Sequence, residues 1–194
     1  MQNICAKKSI GNILWSQKKS SVWIFVLQVF CGSILLALAS QVFIPWQPVP
    51  FTLQSAAVVF MGLSMGRARA TAAVVLYIFE GMVGFPVFAE AHFGLATLMG
   101  PAGGYILGFV PAAFLAGFLM ERGFARYYLT ALIAALVSAL IIFAVGYIQL
   151  SAFVGLLQAY VLGVKPFLLT ESAKLILLTI GARYFWKMRD ETHG

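Results

Sequence analysis

Glu171 and Lys174 interrupt the apolar stretch Pro166–Trp186, well before Arg183 near its end. Three positions apart, they share one helix face. Pro166 suits a first helical turn, so Lys174 lies about eight residues, or roughly 12 Å, along the helix. That depth approaches the middle of a ~30 Å hydrocarbon layer, where a charge costs at least ~2.5–3.5 kcal/mol. The pair reads in one of two ways: as a functional site facing the protein interior, or as an internal ion pair that ties the helix to itself. As a site it presents an acceptor beside a donor. Its complement is a ligand with an N–H beside a C=O, such as an amide, a urea or a lactam. The charges largely cancel, which excludes an ion-selectivity ring.

Little else in the chain can carry reaction chemistry. Gly100-Pro101-Ala102-Gly103-Gly104 lacks the lysine and hydroxyl residue of a nucleotide-binding loop. No HExxH pair occurs, and the only histidines are His92 and His193. The readings are therefore no enzyme, no cofactor, no metal and no nucleic-acid partner. Cys5 and Cys31 have no metal-ligand spacing. Glu80, Glu90 and His92 fall near one level on the side opposite the basic loops. Glu90 and His92 read equally as site residues or as solvated loop residues. Trp46, Phe51, Phe85, Phe88 and Phe93 are candidates for apolar walls.

The elements that must position these residues are membrane spans. Of the 194 residues, 62% are hydrophobic and 10% charged, and the mean hydropathy is +0.95. One soluble core of this size cannot hide that much apolar side chain. The expectation is an all-α integral membrane protein with six transmembrane helices, near residues 22–44, 52–65, 70–83, 101–120, 128–149 and 166–186. These form one membrane domain over residues 21–187, with a polar segment at 1–20 and a tail at 188–194. The first run continues past the signal-like Ala37-Leu38-Ala39, so it reads as an uncleaved span. The second and third spans are short. Prolines 45, 48 and 50 follow the first span, and Gly81, Gly84, Pro86 and Gly94 lie at and after the end of the third. Irregular backbone survives near membrane depth only where it is buried in protein or lines a cavity, so both loops are candidates to cap a site. Gly100, Gly104 and Gly108 form a small-residue stripe, read either as helix packing or as a wall beside a flat ligand. Ser33 and Ala37 read as packing within the fold or as a docking surface. No internal repeat is evident.

Four segments carry a resemblance. Pro48-Val49-Pro50-Phe51-Thr52-Leu53-Gln54 is similar to the PVPxTLQ signature of the BioY family, the biotin-binding S components of energy-coupling factor (ECF) vitamin transporters. Gly84-Phe85-Pro86-Val87-Phe88 resembles the family's GLPVF, Gly100-Pro101-Ala102-Gly103-Gly104-Tyr105 its GPxGGY, and Glu171-Ser172-Ala173-Lys174 its D-x-x-K. The likeness runs from about residue 25 to 185. It implies the six-helix S-component fold in a bacterial inner membrane. It also implies high-affinity capture of biotin near the extracellular face and delivery to the cytoplasm. An external transmembrane T subunit with two ATPases would energise the transport. It implies contacts to the biotin head group from Glu171 and Lys174, and a place at the site for His92, which stands where the family has a loop asparagine. Gln54, Gly103, Gly104 and Tyr105 of the matched motifs, with Trp46 and Phe88, complete the expected binding residues. Glutamate here replaces the usual aspartate, and Glu90 and Ala91 stand where glycines are common. An S component for another vitamin, an intramembrane enzyme and a purely structural subunit are the competing readings.

Eleven of the thirteen basic residues fall before the first span, in the second-to-third and fourth-to-fifth loops, or at the end of the sixth span. By the positive-inside rule both termini are cytoplasmic. A cysteine placed beside Arg67 or Arg122 should be protected from an impermeant thiol reagent in intact cells, and one beside Glu90 should react. The reverse labelling pattern contradicts this orientation.

Overall fold

The computed structural model describes residues 22–124, 127–167 and 170–176. The N-terminal lysines, Cys5, Arg126, the final basic cluster, the far end of the sixth predicted span and both terminal segments lie outside them. Helix α1 is Val22–Gln41. It leads into a two-residue strand, β1 (Phe43–Ile44), which pairs antiparallel with β2 (Phe51–Thr52), Phe43 opposite Thr52 and Ile44 opposite Phe51. Helices α2 (Gln54–Met65), α3 (Arg67–Val83), the short α4 (Leu95–Met99), α5 (Gly103–Glu121), α6 (Tyr128–Val154) and α7 (Leu156–Gly163) follow. Residues 165–167 and 170–176 are helical and carry the Glu171–Lys174 pair.

Among the described residues, α1, α5 and α6 are long and apolar enough to cross a membrane. Helices α2 and α3, with 12 and 17 residues, reach only about 18 and 26 Å at 1.5 Å per residue. The fold departs from a purely helical reading at the β1–β2 ribbon, and α4 and α7 are helices beyond the expected six. The ribbon forms because the three prolines between Ile44 and Phe51 cannot continue a helix. Helix α3 stops at Gly84, whose φ of 114° lies in the left-handed region and whose N–H caps the Glu80 and Gly81 carbonyls.

Burial follows the rules of a lipid solvent. Large side chains such as Trp23, Leu27, Leu140 and Leu157 are exposed, whereas Ala70, Ala73, Ala112, Ala113 and Ala116 are fully buried. Small residues let helix backbones approach where no hydrophobic drive exists between apolar surfaces. Helix α5 takes the centre, packed on α2, α3 and α6. Gly104 and Gly108 face Val145 and Ile142 of α6, so these two members of the stripe are packing residues. Ser33 and Ala37 likewise pack within the fold: Ser33 is buried with its Oγ 3.1 Å from Glu80 Oε1, and Ala37 packs on the core. At the far end of α5, Glu121 pairs with Arg67 at 3.2 Å and accepts the Arg67 backbone N–H at 3.0 Å. The α2–α3 turn is thereby pinned to the end of α5.

A Cβ on Gly104 would lie 2.7 Å from both the Val145 carbonyl oxygen and Gln149 Cβ. The main chain cannot yield as a flexible side chain does, so Gly104→Ala should cost about 1–3 kcal/mol. The measurement is the melting temperature in detergent, which should fall; an unchanged value refutes this packing.

Candidate binding site

A cavity of about 400 Å³ opens at the end of the bundle opposite the Arg67–Glu121 pair. Helix α5 spans the two ends: Tyr105 near its start lines the cavity and Glu121 ends the helix, about 24 Å away at 1.5 Å per residue. The walls come from the segment after β1, the start of α2, the loop between α3 and α5, the first half of α5, α6 and the last helix.

The polar floor is built around Glu171, which is 5% exposed. Its carboxylate pairs with Lys174, and Ser55 Oγ lies 2.9 and 2.8 Å from its two oxygens. Lys174 Nζ also donates to the Thr52 carbonyl at 2.8 Å and makes a longer contact of 3.4 Å to Ser55 Oγ. The last helix is thus joined to β2 and the start of α2. Above this floor the walls are aromatic. Phe167 stacks on Phe51 at 4.1 Å and lies parallel to Tyr105 at 6.2 Å. The Tyr105 hydroxyl donates to the Gly163 carbonyl at 2.8 Å. Phe109 and Phe143 complete this zone.

The rim is the loop after α3, and it is held through its main chain. Tyr77 Oη donates to the Val87 carbonyl at 3.0 Å, and Ser40 Oγ lies 2.7 Å from the same oxygen. Gln41 donates to the Phe88 carbonyl at 3.0 Å. Gln54 Nε2 donates in turn to Tyr77 Oη. Phe88 is 1% exposed and its ring lies so close to Gly81 that no Cβ would fit there. Glu90 and His92 line the exposed mouth.

Of the residues expected from sequence, Glu171, His92, Gln54, Tyr105 and Phe88 line the cavity. Lys174 lies behind Glu171, turned to Thr52. Gly103 and Gly104 pack against the Leu98 carbonyl and α6, although Gly100, Pro101 and Ala102 do reach the cavity. Gln149 holds that turn by donating to the Leu98 and Gly100 carbonyls at 2.8 and 2.7 Å. Trp46 is half-exposed and meets Phe51 edge-on at 5.8 Å. Phe85 and Phe93 point away, exposed. Sequence reasoning missed Ser55, Phe167, Phe109 and Phe143. Ser55 had a signal, since a hydroxyl in a short apolar helix must find a partner within the membrane. The aromatics had none that separates a cavity wall from ordinary core.

The BioY family model matches residues 16–191. The chain belongs to the BioY family. It is 36% identical over 160 residues to the biotin transporter BioY of Thermotoga maritima, which covers 81% of this chain and 92% of that one. It is also 36% identical over 140 residues to the probable biotin transporter BioY of Pyrococcus horikoshii, covering 72% and 82%. A crystal structure of the S-component for biotin from an ECF-type ABC transporter superposes with a TM-score of 0.74 at 22% identity. It covers 88% of this chain and 95% of that one. This BioY-family chain therefore has the S-component fold and is a multi-pass membrane protein.

Two rim residues hold a backbone conformation that suits glycine. Glu90 and Ala91 have φ of 59° and 56°, the left-handed region, which costs a non-glycine residue about 1–2 kcal/mol. Ala91→Gly should relieve that strain, raise the melting temperature and stabilise the fold by about 1 kcal/mol. A lower melting temperature contradicts a strained rim.

Proposed function

We propose that this chain is the substrate-capturing S component for biotin of an ECF-type transporter. The observation that carries the reading is the buried Glu171 carboxylate on the floor of an aromatic-walled cavity, in a member of a family whose relatives are named biotin transporters. A cavity of this size lies within the range for small-molecule sites. The cyclic urea of biotin offers N–H groups to Glu171. Its bicyclic, thioether-containing ring lies against Phe88, Phe167 and Tyr105, with Gln54 beside the floor, and its chain runs to the mouth at His92. Lys174 supplies the counter-charge to Glu171 from behind the floor. The chain is a transporter component, not an enzyme.

Six helices cross the membrane in this reading: α1, α2, α3, α5, α6 and the last. They form a single domain over 21–187 in the bacterial inner membrane, with both termini cytoplasmic. The cavity then faces outward, which is supported by its position opposite Arg67, Arg69 and Arg122. Accumulation of biotin inside draws on a T subunit and two ATPases, because moving a solute against its gradient needs free energy from outside the chain.

Equilibrium binding of labelled biotin to the purified, folded protein without ATP tests this. The wild type should bind. Glu171→Gln removes the charge from a hydrogen bond worth about 1.5–3 kcal/mol, so affinity should fall about tenfold or more. Lys174→Ala removes one partner of a buried pair, typically about 3–5 kcal/mol, shared between binding and stability. His92→Asn should be tolerated. Variants of Glu171 and Lys174 that fold and bind as the wild type does refute the assignment.

A further inference from the structure

Ser55, the second residue of α2, is buried and sits between the two oxygens of Glu171 at 2.9 and 2.8 Å. A serine hydroxyl has one hydrogen to give and two positions at which to accept. Lys174 Nζ, 3.4 Å from the same Oγ, approaches as a donor, so the serine hydrogen is turned to the carboxylate. The remaining Lys174 hydrogens go to the Thr52 carbonyl and to Glu171 Oε1. The donors of the cluster thus converge on Glu171 or on the main chain. Glu171 is the member of the charged pair that lines the cavity, and an ionised carboxylate only accepts. A glutamate carboxylate turns readily about its last torsion, where the energy wells are broad. A single hydroxyl shared by both oxygens fixes the plane of that group.

We propose that Ser55 is a positioning residue for ligand recognition: its hydroxyl sets the plane of the Glu171 carboxylate so that the free acceptor positions meet the N–H groups of a cyclic urea. The inference rests on the biotin reading and deepens it. The floor reads the ligand's donors, and Ser55, which also lines the cavity, bears on that reading through Glu171.

The test is biotin binding to the full chain in detergent, for the wild type, Ser55→Ala, Ser55→Thr, Glu171→Gln and the Ser55→Ala/Glu171→Gln double variant. It is repeated with biotin methylated on a ureido nitrogen. Ser55→Ala should weaken biotin binding about tenfold or more, the scale of a charge-assisted hydrogen bond, with the melting temperature close to that of the wild type. Ser55→Thr keeps the hydroxyl and should retain most of the affinity. In the Glu171→Gln background the same Ser55→Ala change should add little, because residues acting through one group are not additive. Methylation should penalise binding to the wild type more than to Ser55→Ala. An affinity unchanged in Ser55→Ala, or an equal loss in both backgrounds, overturns the positioning role alone. A folded wild type that binds no biotin overturns the functional reading and this inference with it.

Discussion

Lys174 sits where water is scarce, and each of its hydrogens must find an acceptor within the chain. It finds them on Glu171 of its own helix, on Ser55 of α2 and on the Thr52 carbonyl of the β1–β2 ribbon. A buried charge left without its partner costs several kcal/mol, so these contacts constrain where the last helix stands relative to the first loop. The ribbon, the short α2 and the aromatic stack of Phe51 on Phe167 all lie around that junction. The cavity is the space left above it.

The remaining structure supplies what the junction needs. Helix α5 runs past buried alanines and glycines close enough to bring α2, α3 and α6 together. The shortness of α2 and α3 leaves room at one end of the bundle for non-helical backbone. That backbone lines a cavity, a setting in which irregular backbone is tolerated near membrane depth. At the opposite end the Glu121 carboxylate closes the α2–α3 turn on α5, and the ends of the molecule differ in character: one fixed by charge, the other hollow.

Much of this was legible from residue types. Hydropathy located the helices to within a few residues where they are described, and the cost of a buried charge singled out Glu171 and Lys174 before any coordinates. The proline and glycine clusters marked both loops that surround the cavity. What was not legible depended on direction. Spacing put Glu171 and Lys174 on one face, but only tertiary contacts turn one toward the cavity and the other toward Thr52. The GxxxGxxxG stripe combined two roles, with Gly100 at the cavity and Gly104 and Gly108 on α6. The ribbon was missed because two residues per strand give no periodicity to read. Helix α7 was missed because a break at Gly155, with φ of 83°, interrupts an apolar run that continues on both sides.

The rim loop is fastened by its carbonyls as well as by the buried Phe88 ring. Ser40, Gln41 and Tyr77 reach the main chain at Val87 and Phe88, and Gly94 N–H meets the Gly81 carbonyl at 2.7 Å. A carbonyl is the same group whatever residue bears it. Placement and chemical identity are therefore separable at positions 89–92. Mutation there can alter what the mouth offers a molecule without displacing the mouth itself. The burden of structural integrity falls on Ser40, Gln41 and Tyr77, which lie outside the cavity lining.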